Sequence, residues 1–251
     1  MAFSYTQAFV KTEVGASQTT AAKALTSNPT AGNVVVAILL WFSGGTTPGA
    51  SFQDGNGNAF TLATSSPSNA RATTAGTVDL AFLIAPANAE KTITATFNST
   101  GGGGIATLWV GEFGVSGGTA SRDTDASGTG SSGTALNTPT LANAASSLLV
   151  VAAVSDHQVS TVDSPWTQDQ AGAGTNQFSE GIGHILSGSA NQVVAMTQNV
   201  SSGWDSLAIA FSFTATPVVP SKFVASQGRP AAFRPMGDAF SSGKKFGGGW
   251  R

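Results

Sequence analysis

The sequence predicts an all-β protein: an antiparallel β-sandwich, jelly-roll-like, built from two similar half-domains and followed by an extended C-terminal tail. Three observations lead there. Helix-favouring Lys, Glu, Arg, Leu and Met are scarce, while 31 glycines and 10 prolines punctuate a chain rich in Thr, Ser and Ala, a balance that favours short strands and tight turns. Apolar residues alternate or run in stretches of five to nine between Gly, Ser, Asn and Pro, which is strand rather than helix patterning. A first series of such stretches is followed by a second of the same order and character, as a duplication would produce.

Taken in order, the first series runs "SYTQAFVKTEV", "NVVVAILLWF", "AFTLATSS", "VDLAFLIA", "KTITATFN" and "IATLWVGEFGV". A Gly/Ser/Thr-rich connection spans residues 116 to 134. The second series runs "SLLVVAAVS", "WTQDQ", "SEGIGHIL", "NQVVAMTQNV" and "SLAIAFSFTA". "NVVVAILLWF" answers to "SLLVVAAVS". "FQDGNGNAFT" answers to "TVDSPWTQ", and "VDLAFLIAPANAEKTITATFN" to "EGIGHILSGSANQVVAMTQNV", which sets His184 opposite Phe82. "GGGIATLWVGEF" answers to "SGWDSLAIAFSF". The body is therefore residues 1–216, with pseudo-repeats at about 33–115 and 147–213. One sandwich whose inner faces share a core fits this pattern; two independent small sandwiches are the alternative.

The same residues carry few groups with recognisable chemistry. The chain has no cysteine, which excludes disulfides and thiolate sites. Asp54, Asn56 and Asn58 in "DGNGN" repeat the oxygen spacing that opens a calcium loop, but the loop's glycine and closing Glu are missing. Asn-Gly between two β segments reads as a hairpin turn instead. His157 beside Asp156 reads as a loop residue and His184 as an ordinary strand residue. Of the acids near strands, Glu90, Glu112 and Glu180 have no recognisable catalytic setting, and Glu112 is expected to face solvent. Trp41 and Trp109 fall in apolar strands and are expected in the core, Trp166 and Trp204 at the surface. The expectation is a protein without enzymatic activity, catalytic residue, metal or cofactor.

"PTAGN" before an apolar strand (Pro29 to Asn33), then D-x-x-G-N with Phe60 just beyond, resembles the Gly/Ser/Thr-rich β-sandwich domains of bacteriophage virion proteins and of some bacterial surface proteins. The resemblance covers about residues 1–215 and implies a structural or adhesive module. On that basis the expected role is a virion protein, a capsid decoration or cement protein first, with a carbohydrate-binding or adhesive module of a tail fibre or surface assembly as the alternative. "MAFSYTQAFVKTEV" lacks a basic segment followed by an apolar one, so no signal peptide is expected. Assembly in the host cytoplasm, location in the virion and a homo-oligomeric state complete that expectation. The longest apolar run, Val34 to Phe42, has nine residues, against about 20 for a membrane-spanning helix, so no membrane partner is expected.

Charge divides the chain. Residues 1–216 carry five Lys/Arg against twelve Asp/Glu, whereas residues 217–251 carry six against one. In the tail, prolines and glycines rule out a long helix or central strand. Four of its five aromatics adjoin cations, Lys222 with Phe223, Phe233 with Arg234, Lys244 and Lys245 with Phe246, and Trp250 with Arg251, while Phe240 stands apart from any. That pattern suits an extended anchoring strap, with aromatic pegs for pockets on another virion protein (the major capsid protein or a tail component) and cations that steer it to an acidic surface, with folding back on the chain's own acidic body as the alternative. Stacking on single-stranded nucleic acid is disfavoured because no RGG repeat occurs and the body is acidic.

Overall fold

The longest uninterrupted apolar stretches have to be covered on both faces, and this requirement organises the molecule. The structure, a computed structural model, describes residues 2–15, 17–42, 50–65, 76–98, 105–136, 140–155, 159–173 and 179–217. Among the described residues fifteen strands follow one another: β1 (Phe3–Val14), β2 (Thr20–Ala24), β3 (Val34–Phe42), β4 (Ser51–Asp54), β5 (Thr61–Leu62), β6 (Thr77–Ile84), β7 (Thr92–Thr96), β8 (Ile105–Val115), β9 (Gly118–Gly130), β10 (Ser147–Ser155), β11 (Val159–Val162), β12 (Thr167–Ala173), β13 (Ser179–Gly188), β14 (Met196–Gln198) and β15 (Trp204–Ala215). No helix occurs among the described residues. The strands pair antiparallel into two five-stranded sheets, β1-β8-β3-β6-β5 and β12-β13-β10-β15-β9, a three-stranded sheet β2-β7-β4 and a ribbon β11-β14.

Period-2 geometry sends alternate residues to opposite faces. On β3, Val34, Val36, Ile38 and Leu40 enter a core shared with β10 and β15 of the other large sheet. Val35, Ala37 and Leu39 enter a second core with Phe52 of β4 and Ile93 and Ala95 of β7. β10 behaves alike. Leu148, Val150, Ala152 and Val154 line the shared core, while Leu149, Val151 and Ala153 meet Val159, Val162 and Met196 of the β11-β14 ribbon in a third. Sheets and cores therefore alternate, with the two large sheets innermost. A strand buried on both faces loses polar alternation, which is why β3 and β10 read as continuous apolar runs. The shared core places Phe82 of β6 edge-on to Phe211 of β15, with ring centroids 5.1 Å apart.

Several expectations change. The connection at 116–134 contains β9, a 13-residue strand paired along its length with β15. At a sheet edge it needs main-chain partners more than apolar alternation, so its polar sequence hid it. "AFTLATSS" narrows to the two residues of β5, and "NQVVAMTQNV" to the three of β14. β2 was not anticipated. Trp166 and Trp204 are buried rather than surface residues, 5% and 7% exposed, because both cap the third core. Glu112 is fully buried: the loop before β3 folds over it and supplies donors. The side chain of Trp41 and the residues Asp156 and His157 lie outside what the structure describes.

Phe211 is fully buried in the shared core, so Phe211→Ala should cost about 3–5 kcal/mol in denaturant unfolding. Leu62→Ala, at a 36% exposed edge position, should change stability by less than about 0.5 kcal/mol.

Candidate functional site

Ionisable side chains concentrate where β13 faces β1 and β8. Alternation along β13 directs Ile182 into the shared core, and Glu180 and His184 lie on the same face. The intervening glycines face the ribbon, which approaches closely: a Cβ at Gly183 would stand 2.7 Å from Cγ1 of Val162 and 3.0 Å from the Thr167 carbonyl oxygen. Between Glu180 and His184 the ribbon-facing positions are thus both glycine, while the inner set carries the acid and the imidazole.

His184 Nδ1 lies 2.7 Å from Asp169 Oδ2. A register break between Gln168 and Gln170 of β12 leaves Asp169 as the extra residue, a bulge that re-aims its side chain. The imidazole also packs on Tyr5, with centroids 4.4 Å apart, and edge-on to Phe113 at 5.4 Å. The Tyr5 hydroxyl accepts the Phe9 N–H at 2.7 Å and hydrogen-bonds Asp169. Burial, reinforced by the Asp169 charge, raises the Tyr5 pKa well above the ordinary phenol range. The hydroxyl is therefore held protonated and is a poor nucleophile. Tyr5, Asp169 and His184 together clasp β1 to the β12-β13 edge.

Strand register explains the place of His184. Val36 pairs with Phe82 and Gly111; Val150 pairs with His184 and Ile209. His184 thus occupies in the second half the position of Phe82 in the first, and its contact with Phe113 mirrors that of Phe82 with Phe211.

At the other end of the same face, Glu180 accepts the Trp109 indole N–H at 3.0 Å, and Lys11 Nζ stands 5.2 Å from the Trp109 ring centroid. Burial pushes the Glu180 carboxyl above the usual carboxylate range, opposed by hydrogen bonds from Thr107 and Trp109 and by the Lys11 charge. Glu112 accepts from Gln7 Nε2, from the Thr30 N–H at 2.9 Å and from Asn33 Nδ2 at 2.6 Å, which ties the loop before β3 to β1 and β8. Asp125 of β9 pairs with Arg122 at 2.8 Å and accepts the Thr64 and Ser65 N–H groups at 3.1 and 2.8 Å, joining the opposite edges of the two large sheets.

The "DGNGN" segment is a turn closed by Asp54. Its Oδ1 accepts the N–H groups of Asn56 and Asn58, both at 2.9 Å, and its Oδ2 accepts Asn58 Nδ2 at 2.8 Å and the Glu90 N–H at 2.9 Å. Donors of this kind occupy the lone pairs a cation would need. Among the described residues no group of three or more His, Cys, Asp or Glu side chains is placed to hold a metal ion. The anticipated partner-binding residues Phe223, Phe233, Arg234, Phe240, Lys244, Lys245, Phe246, Trp250 and Arg251 all lie outside the described residues. The clasp was missed in the sequence because Tyr5, Asp169 and His184 are remote from one another along the chain; the misfit of a histidine opposite Phe82 was the one available signal. No known protein family, curated protein or solved structure matches the chain.

The clasp yields a double-mutant cycle. Asp169→Ala and His184→Phe should each destabilise by about 3 kcal/mol, since each strands a buried polar partner. The double variant, with an aromatic ring at 184 as at 82, should lose at least about 1 kcal/mol less than the sum. Urea unfolding of the four proteins checks this.

Asp54 gives a pH prediction. Burial opposes its charge, but donation from Asn58, Glu90 and Asn56 outweighs that and holds its pKa below the usual range. A depressed folded pKa contributes stability above the unfolded value, lost as pH falls through the folded one. Asp54→Asn should therefore be less stable than wild type at neutral pH, with the gap narrowing below about pH 4 in thermal melts.

Proposed function

We propose that this chain is a non-enzymatic structural protein of a bacteriophage particle, in the first place a capsid decoration or cement protein, attached through residues 217–251 to another particle protein. Within this reading the body is a β-sandwich of two similar half-domains, jelly-roll-like, displayed on the particle. The order β1-β8-β3-β6-β5 against β9-β15-β10-β13-β12 supports the duplication: taken by position in the chain, the sheets correspond strand for strand. The β4-β7 pair and the β11-β14 ribbon correspond in the same way.

The observation that carries the proposal is the partition of charge and aromatics. The acidic body uses the buried ionisable groups described above to join its own sheets, with donors and partners drawn from the body. The basic, aromatic-bearing segment follows the last strand of that body, and carries six of the eleven Lys/Arg residues. A body stabilised from within and a segment suited to docking on something else fit a protein whose work is attachment.

Deleting residues 217–251 should leave a folded body with a nearly unchanged melting temperature that no longer co-sediments with assembled particles. Each aromatic that enters a pocket contributes roughly 1.5–3 kcal/mol before ordering costs, and ordering an extended segment offsets much of that. Single Phe233→Ala, Phe246→Ala or Trp250→Ala changes should weaken co-sedimentation, and any two together should nearly abolish it. Full-strength attachment of the truncated body would overturn the proposal. Glycan binding by that body, without particle binding by the whole chain, would establish the adhesive role instead.

A further inference from the structure

We infer that the contact between the two large sheets at Glu180 is a proton-linked seam, so that the body packs more firmly when this carboxyl is protonated. The inference is independent of what the tail binds. It starts from geometry. Glu180 is 2% exposed, lies on β13 of one large sheet, and accepts a hydrogen bond from Trp109 on β8 of the other. It is therefore a carboxyl enclosed between sheets and joined to the facing one by a neutral donor.

The groups around it leave a charge at this buried position poorly compensated. β1 presents Lys11, stationed over the Trp109 ring, and Glu13, whose charge disfavours ionisation of Glu180. β8 presents the neutral Trp109 and Thr107. Across its own sheet, Val154 of β10 pairs with both Glu180 and Asp205 of β15. Asp205, also buried, thus lies on the same face two strand spacings away, about 10 Å. On the β12 side Glu180 pairs with Gly172, which brings no charge. His184 and its partner Asp169 stand four residues further along, at the other end of the face. With the carboxyl out of water, the loss of solvation favours the neutral acid and outweighs the Thr107 and Trp109 donors and the Lys11 charge that oppose it. The raised Glu180 pKa agrees.

A carboxyl whose folded pKa exceeds its unfolded value binds more protons folded than unfolded in the interval between the two. Stability there falls as pH rises, and the penalty is complete above the folded pKa. Acidification through that interval tightens the seam, while the Asp54 turn weakens only at lower pH.

Glu180→Gln keeps the shape and the acceptor for Trp109 without the charge. In thermal melts of the full chain it should melt a few degrees above wild type near pH 8, and this advantage should shrink toward zero as pH falls below about 4.3, the ordinary Glu value. The Trp109 indole N–H resonance, assigned by its loss in Trp109→Phe, should titrate in wild type with a midpoint above about 4.3, the ordinary Glu value, and should stay fixed in Glu180→Gln. A Glu180→Gln protein no more stable than wild type at every pH would overturn the inference, because Glu180 would then serve as a carboxylate for Lys11. So would an indole resonance that is insensitive to pH or titrates at or below the ordinary value. If Glu180→Gln fails to fold, the wild-type titration decides alone.

Discussion

Two-sided burial of β3 and β10 is the constraint on which the other features depend. Each strand sends alternate apolar side chains to two different cores, and neither can leave a face open without exposing a row of Val, Ile or Leu. The large sheets satisfy one face of each by packing on one another. The smaller sheet and the ribbon satisfy the other faces. Apolar burial is non-directional, so it demands that these surfaces be covered without specifying how the sheets align.

Alignment comes from directional contacts at the margins. Asp125 reaches Thr64 and Ser65 at one edge, and Tyr5, Asp169 and His184 meet at the other. Glu180 and Trp109 close one end of the face between them. Each is enclosed enough that a shift of the sheets would strand a polar atom away from water, which costs more than the bond itself contributes. These buried polar groups thus select one packing among those that would cover the apolar area equally well, the role of register-setting polar groups elsewhere.

The corresponding strand orders leave the halves alike in topology and unlike in chemistry. The first half places Phe82 against Phe211, while the second places His184 against Phe113. An imidazole at that position requires a polar partner, and the bulge in β12 supplies Asp169.

Strand class and the central strands were legible in the sequence, because apolar runs and turn residues act over a few neighbours. The turn at Asp54 was legible too, since its donors Asn56 and Asn58 lie within four residues. Glu112, Trp166 and Trp204 were misplaced because what buries them comes from distant segments, the loop before β3 for the first and the third core for the others. β9 was hidden because an edge strand is specified by the partner it pairs with rather than by its own side chains. By itself the sequence determined which segments are extended, which must be covered on both faces, and where charge and aromatics are partitioned. Only the tertiary structure decided which remote acids, rings and indoles meet between the sheets, because those contacts join residues that no local pattern links.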